Sequence, residues 1–489
     1  MSLIANPVTK WGGIMLGALA FGMLIGMFGT LYFLTLVGLV MFLWASVRWP
    51  VAVLCSIVFA QIVLPVYVLI PLPGLPSIPV ALFMLVAFSV VVFTDALLNP
   101  VSRNTPDPGN VRFLGLYAVF ASVMLISLLD ADTTKDSFNL WIRAIVIPLV
   151  VYLVVYRVCR SAKNISSVFN WVTLAGVAAA LFAAAEFLLG RNILIEKLML
   201  NDPNADITIT YFYTTAQELG ATIVYRCFSF FMNPIEFGTF MAMVFPYPLL
   251  RAISASKPLQ KKLWMLGALV CLAGTLLSLS RGPILALLLV TLVLSVLVKP
   301  LRRIIVNTLV VIFVCGVVAW PIIGEKVMVR AKEADNVTLR IKLWQAGWHM
   351  FADNPLIGVG FGNYRYHQAD TIREHQIGPF DEYDGDIDKI SAVDNAYLQL
   401  AAETGVLGLA AFAITFLAFF VAVWRVVRHH PHHPERDLAL AAGGATLVYL
   451  LSGVTTTVYT LYVVTLLLGL YFASVFVLER SLASAERTA

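Results

Sequence analysis

The sequence predicts an all-α, polytopic membrane protein, and three observations predict it. Hydrophobic residues make up 60% of the 489 and charged residues only 12%, with a mean hydropathy of +0.87. A soluble domain carries about half apolar and a quarter charged residues. The apolar residues gather into segments near the ~20 residues that a helix needs to cross a bilayer. Many of the basic residues collect in the short segments between them, and their clusters fall on one side of an alternating count. The net charge of +5 therefore reads as cytoplasmic anchoring and excludes a nucleic-acid footprint.

Taken in order, helices are expected near 12–28, 29–47, 51–70, 80–97, 113–129, 141–156, 166–189, 238–250, 263–280, 283–298, 304–321, 399–424, 437–454 and 459–478, about fourteen spans. The first apolar stretch runs from Trp11 to Val47 without a small-residue cleavage site, so it reads as two retained helices. If the chain starts inside, Lys10, Arg48, Arg103 with Arg112, and Arg157 with Arg160 and Lys163 all fall in the cytoplasm. So do Arg251 with Lys257, Lys261 and Lys262, then Lys299 with Arg302 and Arg303, and Arg425 with Arg428 and Arg436. Among the short outer loops only Lys135 and Arg281 run against the bias. The organisation that follows is N-terminal spans over 1–189, an outer loop over 190–237, spans over 238–321, a large outer loop over 322–398, and C-terminal spans over 399–489.

Most of the chemistry lies in one polar island between two apolar spans, from Leu339 to Gly408. A helix is expected from Leu339 to Phe351, ended by Asn354-Pro355. Arg340, Trp344 and Trp348 are spaced to share a helical face, which suits either phosphate binding or a helix lying on the membrane. The Asp394-Asn395-Ala396-Tyr397-Leu398 run marks the return to the bilayer, where Asp394 is a candidate general base, an N-cap, or both. Glu403 reads as structural and Gly405 as a helix break.

Upstream, Ser280-Arg281-Gly282 puts an arginine at the outer mouth of two apolar helices. Charge so near hydrocarbon is costly, and such residues usually face a bundle interior or a watery cavity. Guanidinium offers a planar fork that matches phosphate oxygens, although a headgroup anchor also fits. Arg226 stands before an aromatic run and Asn233-Pro234, again as phosphate ligand or anchor, with Glu236 positioned to orient it or to act as a base.

Other features carry less. The five cysteines (Cys55, Cys159, Cys227, Cys271, Cys315) show no Cys-x-x-Cys and read as small buried hydrophobes. The acidic run from Asp381 to Asp388 departs from the EF-hand pattern and reads as solvated charge. His349, His367 and His375 have no metal spacing, with His367 kept as a substrate-binding candidate; the histidine tract from His429 to His433 reads as a solvated cytoplasmic loop. No metal and no cofactor are expected. No nucleotide-binding loop is present, so any transfer on the outer face must use a bond already activated in the substrate.

The stretch from Gly267 to Phe420 resembles the O-antigen ligase and polymerase superfamily of bacterial envelopes. The resemblance rests on Ser280-Arg281-Gly282, Arg340 ahead of Trp344, Asn354-Pro355-Leu356-Ile357-Gly358-Val359-Gly360, Asp394-Asn395-Ala396-Tyr397-Leu398 and Glu403-Thr404-Gly405. Arg226 with Asn233-Pro234 resembles a further upstream element. The resemblance implies a GT-C-like membrane glycosyltransferase of the bacterial inner membrane, metal-independent, with its active site facing the periplasm. Its donor would be an undecaprenyl-diphosphate-linked glycan, its acceptor a second glycan or lipid A-core, with a chain-length regulator as a further partner. Arg226, Arg281 and Arg340 would hold the diphosphate, Asp394 would act as base, and Asn395, Tyr397, His367 and Glu236 would contact substrate. Ligases resemble His-Asn-x-Tyr-Leu at the closing motif; here that position is Asp394, which leans the reading towards a polymerase. A lipid-linked oligosaccharide flippase or exporter is the rival class, but such proteins often show repeated halves and midplane sites. No internal repeat is evident in this sequence.

Overall fold

The computed structural model describes residues 37–70, 78–98, 108–130, 134–198, 226–303, 335–377, 393–429 and 434–488. The expected spans at 12–28 and 304–321, most of 29–47, most of the 190–237 loop, Cys315, the acidic run from Asp381 to Asp388 and His430 to His433 lie outside the described residues.

The described chain is helical apart from one two-residue antiparallel pair. In order it runs α1 (Val37–Arg48), α2 (Pro50–Val63), β1 (Leu69–Ile70), β2 (Ile78–Pro79), α3 (Val80–Leu98), α4 (Pro108–Ser127) and α5 (Thr134–Trp141). A π-turn (Ile142–Val146) leads into α6 (Ile147–Val158), then α7 (Ala162–Leu189), α8 (Ile193–Leu198), α9 (Pro234–Val244), α10 (Pro246–Ser254), α11 (Pro258–Leu277) and α12 (Arg281–Leu297). After these come α13 (Asp335–Asp353), α14 (Tyr364–Glu374), α15 (Ala396–His429), α16 (Pro434–Ser452), a 3-10 turn (Val458–Thr460) and α17 (Tyr462–Thr488).

Among the described residues six helices are long and apolar enough to cross a membrane: Val80–Leu98, Gly109–Ser127, Lys135–Val158, Ala162–Leu189, Ala396–His429 and Tyr462–Ser481. The chain is thus an all-α, multi-pass membrane protein. Burial separates the centre of the bundle from its rim. In Tyr462–Ser481 the apolar window is 89% buried, against 28–44% in the other five. A helix apolar on every side belongs in a core, and α17 packs on α6, α16 and α15 at once. Gly469 permits the closest approach: a Cβ there would fall 2.0 Å from the Pro148 carbonyl oxygen of α6.

Several boundaries differ from those expected. The span expected over 51–70 ends at Val63 and gives way to a turn and β1. The short span expected at 238–250 is two helices, because Pro246 has no N–H to continue the ladder and the chain restarts there as α10. The outer loop expected between 130 and 140 holds α5, which continues through the π-turn into α6; Tyr117 Oη donates to the Ile145 carbonyl inside that turn at 2.9 Å.

The feature that matters most for the site is the break in α15. Gly405 has φ 64° and ψ −164°, so the helix ladder is interrupted there. The 355–360 segment docks into the gap. Val359 N–H donates to the Ala402 carbonyl at 3.0 Å and Gly360 N–H to the Glu403 carbonyl at 2.9 Å. In return Val406 N–H, which an unbroken helix would aim at Ala402, donates to the Pro355 carbonyl at 2.8 Å. The docking is backbone on backbone: a Cβ at Gly405 would lie 2.3 Å from Leu356 carbonyl atoms, and one at Gly358, itself at φ 74°, 2.3 Å from the Glu403 carbonyl carbon.

Gly405→Ala therefore combines a left-handed residue bearing a side chain with an overlap against backbone that cannot step aside. The expected loss is about 2–6 kcal/mol. A lowered thermal midpoint of the detergent-purified protein checks it, and an unchanged midpoint would contradict the docking.

Candidate active site

Two groups of predicted residues are assembled around one turn. The first group is at the α11–α12 junction. Leu279 takes φ 49° there, and the reversal brings Arg281 to the first position of α12, exposed. Arg226 is drawn to the same turn: its Nη2 donates to Ser280 Oγ at 2.9 Å and its Nε to the Ser278 carbonyl at 3.4 Å. The segment carrying Arg226 is held from behind. Cys227 N–H donates to the Leu277 carbonyl at 3.2 Å, and the buried Glu186 of α7 accepts Phe228 N–H at 3.3 Å and Ser229 N–H at 2.7 Å. The structure thus sets two arginines beside a helix N-terminus, where unpaired amides and the helix dipole already favour an anion.

The second group joins α13 to the start of α15. Arg340 Nη2 lies 3.2 Å from Asp394 Oδ2, with 43% and 31% of the two side chains exposed. Trp344 Nε1 donates to the Val393 carbonyl at 2.9 Å, which fixes the approach of Asp394 to Arg340. Asp394 holds φ 53°, a left-handed conformation that aspartate tolerates better than most residues. Burial pushes its carboxyl group above the usual range, and the neighbouring Arg340 charge and hydrogen bond pull partly against that rise. A partly desolvated carboxylate next to a guanidinium can take a proton from a hydroxyl, and the guanidinium can meet a second anion.

The N-cap of α15 is Asn395, not Asp394. Asn395 Oδ1 accepts the Tyr397 and Leu398 N–H groups at 3.1 Å each, because the helix begins at Ala396 and a cap must reach its second and third amides. Tyr397 Oη donates to the Leu450 carbonyl at 2.5 Å. Both predicted substrate contacts thus have structural partners. Glu236 stands apart: buried, it accepts Val463 N–H at 3.0 Å and Met232 N–H at 3.4 Å, and it caps α17 from α9. His367 stands half-buried on α14. The expected shared face of Arg340, Trp344 and Trp348 is also divided. Each step of four overshoots a turn by ~40°, so Trp344 turns inward while Trp348 is exposed.

The 453–461 turn connects the two groups. Ala396 N–H donates to the Gly453 carbonyl at 2.7 Å. On the other side a Cβ at Gly282 would lie 2.0 Å from Thr455 Oγ1, so the Ser-Arg-Gly turn packs directly on the same segment. Farther along, Thr457 Oγ1 donates to Gln399 Oε1 at 2.7 Å, and Gln399 Nε2 donates to Glu403 Oε1 at 2.8 Å. Glu403 also accepts Tyr459 Oη at 3.2 Å and Tyr364 N–H at 3.4 Å. Tyr364 in turn donates to the Leu343 carbonyl of α13 at 3.0 Å, which ties the helix bearing Arg340 into the network.

A family model described as O-antigen ligase matches residues 266–413. This match opens in α11, closes in α15, and takes in the Ser-Arg-Gly turn, Arg340, the docked 355–360 segment, Asp394 and Glu403. Over that stretch the chain is similar to the O-antigen ligase/polymerase superfamily. No curated protein matches the chain.

The sequence missed three contributors to this site. Glu186 is a lone carboxylate inside an apolar span, a rarity that by itself points to a bonded or functional group. The 453–461 turn reads only as a short loop between two spans. The Gln399 bridge has no sequence signature. Among the described residues no group of three His, Cys, Asp or Glu side chains gathers as metal ligands; His375 instead bonds Asp353 at 3.0 Å and stacks on His349.

Glu403 and Asp394 should separate cleanly in stability. Glu403→Ala strands several buried donors, each at about 1–3 kcal/mol, whereas Asp394→Ala removes a half-exposed pair worth about 0–1 kcal/mol. Thermal midpoints of the two variants check this, and equal midpoints would overturn the division.

Proposed function

We propose that this protein is a periplasmic-face glycosyltransferase of the bacterial inner membrane that polymerises undecaprenyl-diphosphate-linked repeat units of O-antigen or exopolysaccharide. The observation that carries the reading is the gathering of Arg226, Arg281 and the Arg340–Asp394 pair around the 453–461 turn. A topology of about fourteen spans, with GT-C-like outer loops at 190–237 and 322–398, belongs to the same proposal.

The chemistry runs as follows. Arg226 and Arg281, with the N-terminal amides of α12, bind the donor diphosphate. Arg340, paired with Asp394, is the third diphosphate ligand and stabilises the leaving group. Asp394 takes the proton from an acceptor sugar hydroxyl as its oxygen attacks the anomeric carbon, most simply with inversion. The bond from that carbon to the diphosphate oxygen breaks, and the electron pair leaves with the lipid diphosphate. Guanidinium groups placed where that charge develops act more strongly in a half-dry site than in water. No metal or cofactor enters the scheme. His367 on α14 would contact sugar, and a chain-length regulator would act from outside the site.

Asp394 in place of the histidine that ligases resemble at this position supports polymerisation over transfer to lipid A-core. In cells carrying Asp394→Asn at matched protein level, long polymer should vanish while single lipid-linked repeat units accumulate on the outer face. With purified protein, turnover should fall about 10²–10⁴-fold, the usual worth of a general base. Accumulation of long lipid-linked polymer would instead identify a ligase, and substrate held on the cytoplasmic face would identify a flippase.

The pH profile gives a second test. A base must be ionised, so the acid limb of the rate falls as pH drops through the Asp394 pKa, above the ordinary carboxylate range. Arg340 lowers that pKa, so Arg340→Ala should move the limb to higher pH, beyond any overall loss of rate. An unmoved limb would remove Asp394 from the role of base.

A further inference from the structure

Helix α13 is two-faced, and among the described residues only one face has a protein partner. Leu343, Ala346 and Met350 are buried, Met350 against Tyr364 and Val393 and Ala346 against Ile372. On the opposite side Ile341, Gln345 and Trp348, at the i, i+4, i+7 spacing of a single stripe, are all exposed. Trp348 is 59% exposed, and the stripe runs on past the end of the helix into Leu356, 64% exposed, and Ile357. Four large apolar side chains and one amide thus form an unpartnered strip on the segment that carries Arg340.

What covers it follows from its neighbour. The docking at Gly405 sets Leu356 and Ile357 beside Val406 and Leu407 by direct backbone contact. Val406 and Leu407 are exposed and begin the rim stripe of α15, which continues through Ile414, Leu417 and Val421. That helix is one of the six membrane spans, and its exposed apolar stripe is its lipid face. The strip on α13 is therefore continuous with a face already in hydrocarbon, and its tryptophan is of the type enriched at membrane interfaces.

We propose that the Ile341–Trp348–Ile357 strip is a membrane anchor, with α13 lying in the plane of the leaflet on the site's side and Leu356 and Ile357 dipping past it into the acyl chains. Interfacial helices bury their apolar faces about 5–10 Å into this boundary. Arg340 directly precedes Ile341, so the anchor sets the depth of the Arg340–Asp394 pair at the level of lipid headgroups. The inference rests on the membrane-spanning fold alone and stands whatever reaction the site performs.

The test uses the full chain in nanodiscs, with a fluorophore attached at Leu356→Cys, at Gln345→Cys, or at Asp370→Cys as the exposed reference on α14. Unsubstituted protein, labelled in parallel, corrects for the native cysteines, four of which are buried. Doxyl-labelled lipid should quench the probes at positions 356 and 345 at least about twofold more than the probe at 370, as expected for residues within the interfacial layer. Aqueous iodide should show the reverse order. Iodide quenching at 356 and 345 equal to that at 370 would overturn the anchor. Protection from both quenchers would also overturn it, since another segment of the chain or a second copy would then cover the strip.

Discussion

A broken membrane helix is tolerable only if its freed backbone groups find partners, and α15 meets that demand by recruiting the 355–360 segment at Gly405. The exchange is reciprocal: two amides of the segment go to Ala402 and Glu403, and one amide of α15 goes to Pro355. The described segments around Glu403 are placed relative to this junction. Ser127 Oγ of α4 donates to the Glu403 carbonyl at 3.1 Å and accepts Phe361 N–H at 2.8 Å, so a third element is fastened to the same point. Glycine is required at both contact positions, because the two backbones approach more closely than any Cβ permits.

From this junction the Glu403 carboxyl group extends the constraint to the 453–461 turn through Gln399 and Tyr459. That turn then serves the site twice, once through Gly453 at the start of α15 and once through Thr455 against Gly282. The consequence is functional. The arginines at the head of α12 and the carboxylate ahead of α15 belong to distant segments of chain, yet both rest on one short loop. Small rearrangements of the loop would move the proposed diphosphate ligands and the proposed base together.

The electrostatics divide in the same way. Three of the buried carboxyl groups, Glu186, Glu236 and Glu403, bond backbone amides or neutral side chains and act on architecture. Asp394 is half-exposed, paired with one arginine, and raised by partial burial. Burial with complete satisfaction marks a structural acid, while partial burial with one charged partner leaves a group free to exchange a proton.

The sequence by itself determined the helical membrane class, the helix over Leu339 to Phe351 and the break at Gly405, and it singled out the arginines and Asp394 as candidates. These are local matters: hydropathy over a span, proline after asparagine, a charge where lipid would reject it. The tertiary structure alone decided that Arg226 meets Ser280, that Asn395 and not Asp394 caps α15, that Glu236 caps α17 instead of facing the site, and that a turn near residue 455 joins the two clusters. Each of those outcomes depends on which spans lie side by side in the bundle. Spans of similar hydropathy look alike along the chain, so their neighbours are chosen by side-chain packing between residues far apart in sequence, which no window along the chain contains.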